Sequence, residues 1–319
     1  AMSSAASDVY KRQLEYLDVI KKLLNKLKDH NFENTIIIIT GDIFHNKNLI
    51  ESHGIELFNK LITGLTSFTD VYLIRGNHDY RQDNKDNIDL IGALINNSNY
   101  KNLHYLDKTG LYEIGDILIG LVAIQDTLVQ GDTSGRVEEL PKFPWTDKEY
   151  KKKIALFHGI ILINDNTIYK GTINIKWMEQ YDFGMFGDVH KQELHNSKWN
   201  EDGYYEVIDN DKIMWGYSGS LIQQNFSELV NKHGYLIWDI ENYKVFSYDI
   251  ENKHIYANIF KRNNQLFTKI TNNSFRNVDI ELNEFFREYK HIEKISIKTK
   301  NVEHSDLIEI LKNNDIQYN

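Results

Sequence analysis

The sequence predicts an α/β fold, a β-sandwich flanked by helices and followed by a small C-terminal α+β unit. Two observations carry this prediction. In the first half, short runs of apolar, β-prone residues alternate with segments whose apolar residues recur at helical spacing. In the second half, short strands follow one another between turn signals, as expected for the second sheet of a sandwich. A chain of 319 residues can bury one substantial core and a small second domain.

Each element is assigned from apolar periodicity and from the turn residues at its ends. The predicted helices are residues 14–30, 50–66, 87–98 and 305–313. The predicted strands are residues 35–40, 71–74, a pair within 111–124, 154–157, 183–186, 204–207, 212–217, 234–239, 244–250, 275–280, 285–289 and 294–298. Residues 125–146 are polar and carry both prolines, Pro141 and Pro144, so they are predicted to form a long loop.

The composition narrows the class of protein. Without cysteine the chain has neither disulfides nor thiolate-bound zinc, which is compatible with a reducing, cytoplasmic location. No stretch approaches the about 20 apolar residues of a membrane span, so no membrane partner is expected. The net charge of −9 argues mildly against broad electrostatic capture of DNA. Bound cations or a local basic face can offset this charge.

Four short polar motifs each follow a run of apolar, β-prone residues. They are Gly41-Asp42-Ile43-Phe44-His45, Gly76-Asn77-His78-Asp79, Phe157-His158-Gly159 and Gly187-Asp188-Val189-His190. Each motif is therefore expected in a loop just past the carboxyl end of a strand. Open α/β sheets place their functional sites at that edge.

The residue types in these motifs fit a pair of metal ions. Two divalent cations about 3.5 to 4 Å apart can polarise a phosphodiester and supply a hydroxide nucleophile, and a bridging carboxylate is the natural centre of such a site. Asp42 is the predicted bridge. Asn77 offers an amide oxygen, and His158 and His190 offer imidazole nitrogens. This mixture of nitrogen and oxygen ligands suits manganese, iron or zinc better than calcium.

His78 is the predicted general acid. It directly follows a ligand, and Asp79 after it is placed to hold the imidazole in one tautomer. A plainer interpretation is that Asp42 and Asn77 are turn formers, and that Asp188 caps a helix or a turn. The presence of four motifs in order favours the metal interpretation.

The order of these motifs resembles that of the calcineurin-like metallophosphoesterases, and within them the SbcD-type nucleases of DNA double-strand-break repair, particularly those of phages and large viruses. Three details carry the finer resemblance. His45 lies three residues after the bridging Asp42, Phe157-His158-Gly159-Ile160 resembles the segment with a lone histidine, and Tyr217-Ser218-Gly219-Ser220 resembles a characteristic turn with Ser218 in place of proline. The resemblance covers roughly residues 14–251.

The resemblance implies a fold, a cofactor and partners. The fold would be the metallophosphoesterase β-sandwich over residues 14–253, followed by a capping domain over 254–319, cut short. The cofactor would be two divalent cations, most often Mn²⁺. The partners would be DNA, an SbcC-like ATPase and a second copy of the chain, in the cytoplasm, or in the host cytoplasm for a viral protein. Asp188 would stand where a histidine ligand is usual. The catalytic residues would be His78, Asp79 and His45, and the candidate substrate contacts are Arg75, Lys191, Tyr217 and Ser220.

One expected motif is absent. The family carries an Asp-x-His on a first strand, and nothing before Asp42 supplies it. Read back into codons, residues 3–13 match a common transposase-based sequencing adapter. This suggests a gene assembled from metagenomic reads whose natural start was replaced, so that residues 1–13 are an adapter-derived or cloning tail. An ordinary flexible N-terminal tail is the alternative. Without the first motif the chain is expected to bind one metal well and to be weakly active or inactive.

Two other function classes stay open from the sequence. One is a general phosphoesterase that acts on nucleotides or phosphoproteins. The other is a non-catalytic scaffold of the nuclease complex. Digestion of different phosphoesters separates the first from a nuclease, and copurification with an ATPase would favour the complex.

Overall fold

The computed structural model describes residues 4–44, 52–79, 89–127, 142–163 and 171–318, and at residues 4–13 and 304 it describes the backbone alone. His45, predicted as a catalytic residue, and Pro141 in the predicted loop lie outside these ranges.

Six α-helices occur in the described residues. They are α1 (Ser4–Leu27), α2 (Ser52–Thr66), α3 (Leu90–Asn96), α4 (Ile124–Thr127), α5 (Leu282–Glu288) and α6 (His304–Asn313), and a single turn of 3₁₀ helix spans Ile175–Met178. α1 begins well before the predicted residue 14, through the segment expected to be a tail. That segment has neither glycine nor proline, so nothing in it stops a helix from continuing toward the N-terminus. No helix of the described chain is long and apolar enough to cross a membrane.

The strands of the described chain number twenty. They are β1 (Ile37–Ile39), β2 (Val71–Ile74), β3 (Leu103–Leu106), β4 (Gly110–Ile114), β5 (Ile117–Val122), β6 (Lys152–His158), β7 (Ile160–Leu162), β8 (Thr172–Asn174), β9 (Phe183–Gly187), β10 (Glu193–His195), β11 (Ser197–Trp199), β12 (Tyr205–Val207), β13 (Met214–Tyr217), β14 (Gly234–Asp239), β15 (Lys244–Asp249), β16 (His254–Arg262), β17 (Gln265–Thr271), β18 (Asn277–Glu281), β19 (Lys294–Lys300) and β20 (Gln317–Tyr318).

The predicted β-sandwich is confirmed. A six-stranded sheet runs in the order β10-β13-β9-β6-β5-β4, and two smaller sheets, β1-β2-β3 and β11-β12-β15-β14, cover one of its faces. The core between these layers is apolar, with Ile74 of β2, Leu156 of β6 and Val245 of β15 in one buried cluster. Burial of such side chains is the main favourable contribution to folding.

Helices α1, α2 and α3 cover the outer face of the β1-β2-β3 sheet. Their apolar side chains, among them Leu23, Ile62 and Ile91, pack with Val71 and Leu73 of β2 in a second buried cluster. β2 is therefore buried on both faces, which explains its continuous apolar sequence Val-Tyr-Leu-Ile. This burial holds the polar loop after β2 in place.

β1 and β14 are edge strands of their sheets within the described chain, as are β3, β4, β10 and β11. β1 pairs in parallel with β2 alone, and β14 pairs in antiparallel fashion with β15 alone. All three isoleucines of β1 are only partly buried. Ile37 and Ile39 of β1 and Tyr235 of β14 pack against the same apolar cluster.

The C-terminal unit has its own sheet and its own core. Its strands run in the order β18-β17-β16-β19-β20, and α5 and α6 pack on them through Phe285, Leu307 and Leu311. The alternation of buried and exposed residues in β16 shows that one face of this sheet is covered and the other is open.

Several predicted elements need correction. The strand predicted at 212–217 was expected in the second sheet, but β13 lies between β9 and β10 in the six-stranded sheet, parallel to β9. Residues 285–289 were predicted as a strand, but 285–288 belong to α5 and Tyr289 is its C-cap, and the carboxylate of Glu281 caps its N-terminus. The predicted loop at 125–146 begins with the last residues of α4. Several strands escaped sequence analysis, namely β3, β7, β8, β10, β11, β16, β17 and β20.

Candidate metal centre

The polar motifs meet where strands of two sheets end. β1 and β2 are parallel neighbours in the three-stranded sheet, and β6 and β9 are parallel neighbours in the six-stranded sheet. His158 at the end of β6 is paired in register with Gly187 at the end of β9. The motifs predicted from strand ends are thus brought together, as the rule for open α/β sheets requires.

The two central carboxylates sit on an unusual backbone. Asp42 has φ of 56° and Asp188 has φ of 86°, in the left-handed region that residues with a Cβ rarely adopt. Aspartate tolerates this region better than most residues do. Backbone strain of this kind is common at functional sites, where the surrounding structure must maintain it.

Two glycines allow the loops to approach each other. A Cβ built on Gly76 would lie 2.2 Å from the backbone nitrogen and from Oδ1 of Asp42. A Cβ built on Gly187 would lie 2.0 Å from the carbonyl oxygen of Thr40 and 2.7 Å from Nδ1 of His158. Both positions therefore require glycine for space.

Asp79 holds the loops together. Its carboxylate accepts hydrogen bonds from the backbone N–H groups of Asp42 (2.9 Å), Phe44 (3.1 Å) and Gly76 (2.8 Å). That Asp79 also orients the imidazole of His78 stays a prediction. Burial, together with the nearby Asp42 carboxylate, raises the pKa of Asp79 to about 6.

Asp42, His158 and Asp188 form the centre of the site. Their ligand atoms all lie within 4.8 Å of one another. Nδ1 of the buried His158 donates to the carbonyl oxygen of Thr40 (2.7 Å), which leaves Nε2 as the lone-pair nitrogen. Nε2 lies 3.3 Å from Oδ1 of Asp42 and 3.7 Å from Oδ1 of Asp188, and it makes no hydrogen bond.

Asn77 adds a fourth candidate metal ligand to Asp42, His158 and Asp188. Its Nδ2 donates to Oδ1 of Asp188 (3.3 Å), and its Oδ1 is buried without a hydrogen-bond partner. Buried polar atoms without partners are costly unless something binds them. Two such atoms, Oδ1 of Asn77 and Nε2 of His158, beside two carboxylates fit a divalent cation with mixed nitrogen and oxygen ligands.

The electrostatics of the site follow from these contacts. Burial raises the pKa of Asp42, but the adjacent His158 and the backbone N–H of His78 outweigh it and hold this pKa below its ordinary value. Burial lowers the pKa of His158, but the neighbouring Asp42 and Asp188 and the carbonyl of Thr40 raise it overall. Without a metal, the imidazole and the carboxylates thus stabilise each other's charged forms.

His190 and His78 lie next to this cluster. His190 is half-exposed and lies outside the cluster of three ligands. Its Nδ1 lies 3.0 Å from Oε1 of Glu228. The backbone N–H of His78 donates to Oδ1 of Asp42 (2.9 Å), which places His78 beside the site. Sequence analysis missed Glu228, because no motif or spacing marks it.

The predicted substrate contacts fall into two groups. Arg75 is buried, and its guanidinium is paired with Asp89 and donates to the hydroxyl of Tyr105 (3.1 Å). Tyr217 is also buried, and its hydroxyl bridges the loop after β6, accepting from the N–H of Ile161 and donating to the carbonyl of Gly159. In this structure both side chains support the loops.

Lys191 and Ser220 lie closer to solvent. Nζ of Lys191 donates to the carbonyl oxygen of Phe275 (2.9 Å), so it reaches the C-terminal unit. Oγ of Ser220 donates to Oε2 of Glu228 (3.2 Å). Contact of any of the four residues with substrate stays a prediction.

The fold and the site define the class of protein. The sequence profile of the calcineurin-like phosphoesterase family matches residues 5–192, more than half of the chain. The chain belongs to this family.

A viral relative shares most of this chain. An uncharacterized protein of Acanthamoeba polyphaga mimivirus is 29% identical over 266 residues, which cover 79% of this chain. The chain spans only 18% of that relative's length.

Proposed function

We propose that the chain is a metal-dependent nuclease of the SbcD type that hydrolyses phosphodiester bonds in DNA. The convergence of Asp42, Asn77, His158 and Asp188 is the observation that supports it most directly. These residues provide two carboxylates, an amide oxygen and an imidazole nitrogen around one point. A divalent cation held there would polarise the phosphodiester and stabilise the charge that develops on it.

Manganese is the proposed metal, with two ions in a complete site. Nitrogen and oxygen ligands without thiolate suit Mn²⁺. Around the second position this chain offers Asp42 and His190 alone among the predicted ligands. We therefore expect one well-bound metal and weak activity.

The protein's own groups would orient the substrate and move the proton. His78, next to Asp42, is the proposed general acid, which would protonate the departing oxygen of the scissile bond. Asp79 would act indirectly, because it fixes the backbone of both loops that carry Asp42 and Asn77.

The proposed partners follow from the proposed class. DNA would be the substrate, the C-terminal unit would act as a capping domain that helps to recognise it, and an SbcC-like ATPase and a second copy of the chain would complete a cytoplasmic complex. Lys191, which bridges the site loop to the C-terminal unit, is the best-placed cation for a phosphate near both parts.

A parallel hydrolysis assay tests the proposal. Linear DNA, a chromogenic phosphodiester and a phosphomonoester would be incubated with the chain and Mn²⁺, and calorimetry would count the bound metals. We expect one tight Mn²⁺, slow cleavage of DNA and of the diester, and loss of both in Asp42→Asn. Preferred cleavage of the monoester would contradict the nuclease assignment, and two tightly bound metals with rapid digestion of DNA would contradict the impaired site.

The net charge favours a second candidate, a phosphoesterase that acts on nucleotides or phosphoproteins. A chain of charge −9 gains little from broad electrostatic attraction to DNA. Preference for nucleotides or for a phosphopeptide in the same assay would support this candidate. Copurification with an ATPase in the absence of any hydrolysis would support a scaffold instead.

A further inference from the structure

A buried carboxylate next to His190 has no role in the predicted site. Glu228 lies in the connection between β13 and β14, residues 218–233, which we call the linking segment. Its side chain is 8% exposed. Oε1 faces Nδ1 of His190 (3.0 Å) and accepts from Nδ2 of Asn225 (3.3 Å), and Oε2 accepts from Oγ of Ser220 (3.2 Å) and from the N–H of Gln224 (3.1 Å).

This contact decides which nitrogen of His190 is available. An ionised carboxylate only accepts hydrogen bonds, so Nδ1 of His190 must carry the proton. Ser220, Gln224 and Asn225 all donate to this carboxylate, which keeps it in the accepting role beside Nδ1 of His190. In the neutral imidazole Nε2 is then the lone-pair nitrogen, the form that binds a metal.

The linking segment is itself fastened to the C-terminal unit. The buried amide of Gln223 makes two bonds to the backbone of Tyr256 in β16, donating to its carbonyl (2.7 Å) and accepting from its N–H (2.8 Å). Asn231 makes the same pair of bonds to Thr271 at the end of β17, at 2.9 and 2.8 Å. Glu228 therefore sits between two anchor points on the C-terminal unit.

We infer that Glu228 is a positioning residue, which holds His190 with Nε2 directed toward a metal beside Asp42, and that the C-terminal unit fixes Glu228 through the linking segment. This inference rests on the proposed metal function of His190. A carboxylate behind a metal-binding histidine fixes both its ring orientation and its tautomer. The geometry needs no further residue to achieve this.

The tautomer of His190 provides the first test, in the metal-free protein. Nitrogen NMR of ¹⁵N-histidine-labelled chain, at an alkaline pH at which the imidazole is neutral, should show the proton of His190 on Nδ1. In Glu228→Ala it should move toward Nε2, the position that a free neutral histidine favours in water. Glu228→Gln retains one carbonyl oxygen, so it should preserve the Nδ1 proton. An Nε2 proton in the original chain, or no change in Glu228→Ala, would overturn the inference.

Metal binding provides the second test. Free Mn²⁺ would be followed by electron paramagnetic resonance, which resolves a tight event at the Asp42 cluster and a weaker event that involves His190. Glu228→Ala should weaken the weaker event about 10- to 100-fold and leave the tight event unchanged. Glu228→Gln should weaken it less. If the weaker Mn²⁺ binding were unchanged in a folded Glu228→Ala variant, the inference would be overturned. If the original chain showed no tight Mn²⁺ binding at all, the proposed function would be refuted instead.

A matched control separates positioning from general damage. Asp70, just before β2, also faces a histidine, His104, at 3.1 Å, at the opposite end of that strand from the site. Asp70→Ala should change neither the tautomer of His190 nor either Mn²⁺ event. If it changed them as much as Glu228→Ala does, the specific role of Glu228 would be excluded. Circular dichroism of each metal-free variant checks that it is folded.

Discussion

At the scale of single residues, the site depends on close approach of backbones. Asp42 and Asp188 occupy the left-handed region, and the loops that carry them pass so near each other that a methyl group does not fit on Gly76 or Gly187. The carboxylate of Asp79 compensates by binding three backbone N–H groups. The position of each ligand therefore depends on residues that are not ligands.

Gly76→Ala should damage metal binding more than stability of the whole fold. Its Cβ would lie 2.2 Å from Asp42, so the loops must separate, and we expect Mn²⁺ affinity to fall at least about 10-fold, the loss that second-shell changes typically cause. Calorimetric titration measures this. Gly110→Ala, whose Cβ would meet no atom closer than 4.0 Å, is the control. Equal affinities of the two variants would contradict the steric argument.

The stabilisation by Mn²⁺ should increase with pH. The raised pKa of His158 means that its protonated form, paired with Asp42, stabilises the metal-free fold at low pH, and this contribution is lost as pH rises through that pKa. Metal binding requires the neutral imidazole, so the affinity for Mn²⁺ increases over the same pH range. The increase in Tm caused by Mn²⁺ should therefore be larger at about pH 8 than at about pH 6. An increase that is equal at both values would count against His158 as a ligand.

At the scale of elements, one buried ion pair joins the end of β2 to the start of α3. Arg75 follows β2 and pairs with Asp89, which also caps α3 by accepting from the N–H of Gly92. The hydroxyl of Tyr105 in β3 donates to the same carboxylate (2.7 Å). The pair therefore fixes the direction in which the chain leaves β2 and enters the loop with Asn77.

Asp89→Ala should be strongly destabilising. It leaves the guanidinium of Arg75 buried without its carboxylate and removes a helix cap, so we expect a loss of about 3–5 kcal/mol in the free energy of unfolding. Asp70→Ala is the control, because Asp70 pairs with His104 at the surface (3.1 Å), and such pairs contribute at most about 1 kcal/mol. Urea denaturation compares the two variants. Similar losses in the free energy of unfolding would contradict a larger contribution from the buried pair than from the surface pair.

At the scale of the whole molecule, the linking segment connects the metal centre to the C-terminal unit. Gln223 and Asn231 each make two bonds to backbone of that unit, and Lys191 adds a third connection from the site loop. Side-chain amides that bond to backbone in this way act like short pieces of strand pairing. Movement of the C-terminal unit would thus displace Glu228.

Asn231→Ala should loosen this connection. It removes three partly buried hydrogen bonds, two with the backbone of Thr271 and one with the hydroxyl of Tyr289. We expect a loss of about 1–3 kcal/mol in the free energy of unfolding, and hydrogen exchange should increase in the linking segment. Asn242→Ala, which affects only a turn bonded to Asp239, is the control. Equal exchange in the linking segment of both variants would contradict a clamp at Asn231.

The sequence alone determined the class of fold and four residues of the candidate metal centre. Apolar runs that end in Gly-Asp, Gly-Asn-His-Asp and His-Gly identify strands and the loops after them, because local periodicity and turn chemistry are properties of adjacent residues. β2 and β14 match their predicted bounds, and Asp42, Asn77, His158 and Asp188 meet as a motif-based argument expects.

Only the tertiary structure decided which residues support those ligands. β13 looks like its neighbours in sequence, yet it pairs with β9 and β10, since strand partners depend on burial of both faces rather than on local pattern. The carboxylate of Asp79 accepts from three backbone N–H groups of two loops, and Glu228 contacts His190, which lies 38 residues earlier in the chain. Contacts between residues far apart in the chain leave no periodic signal, so the supporting residues of the site became visible only in three dimensions.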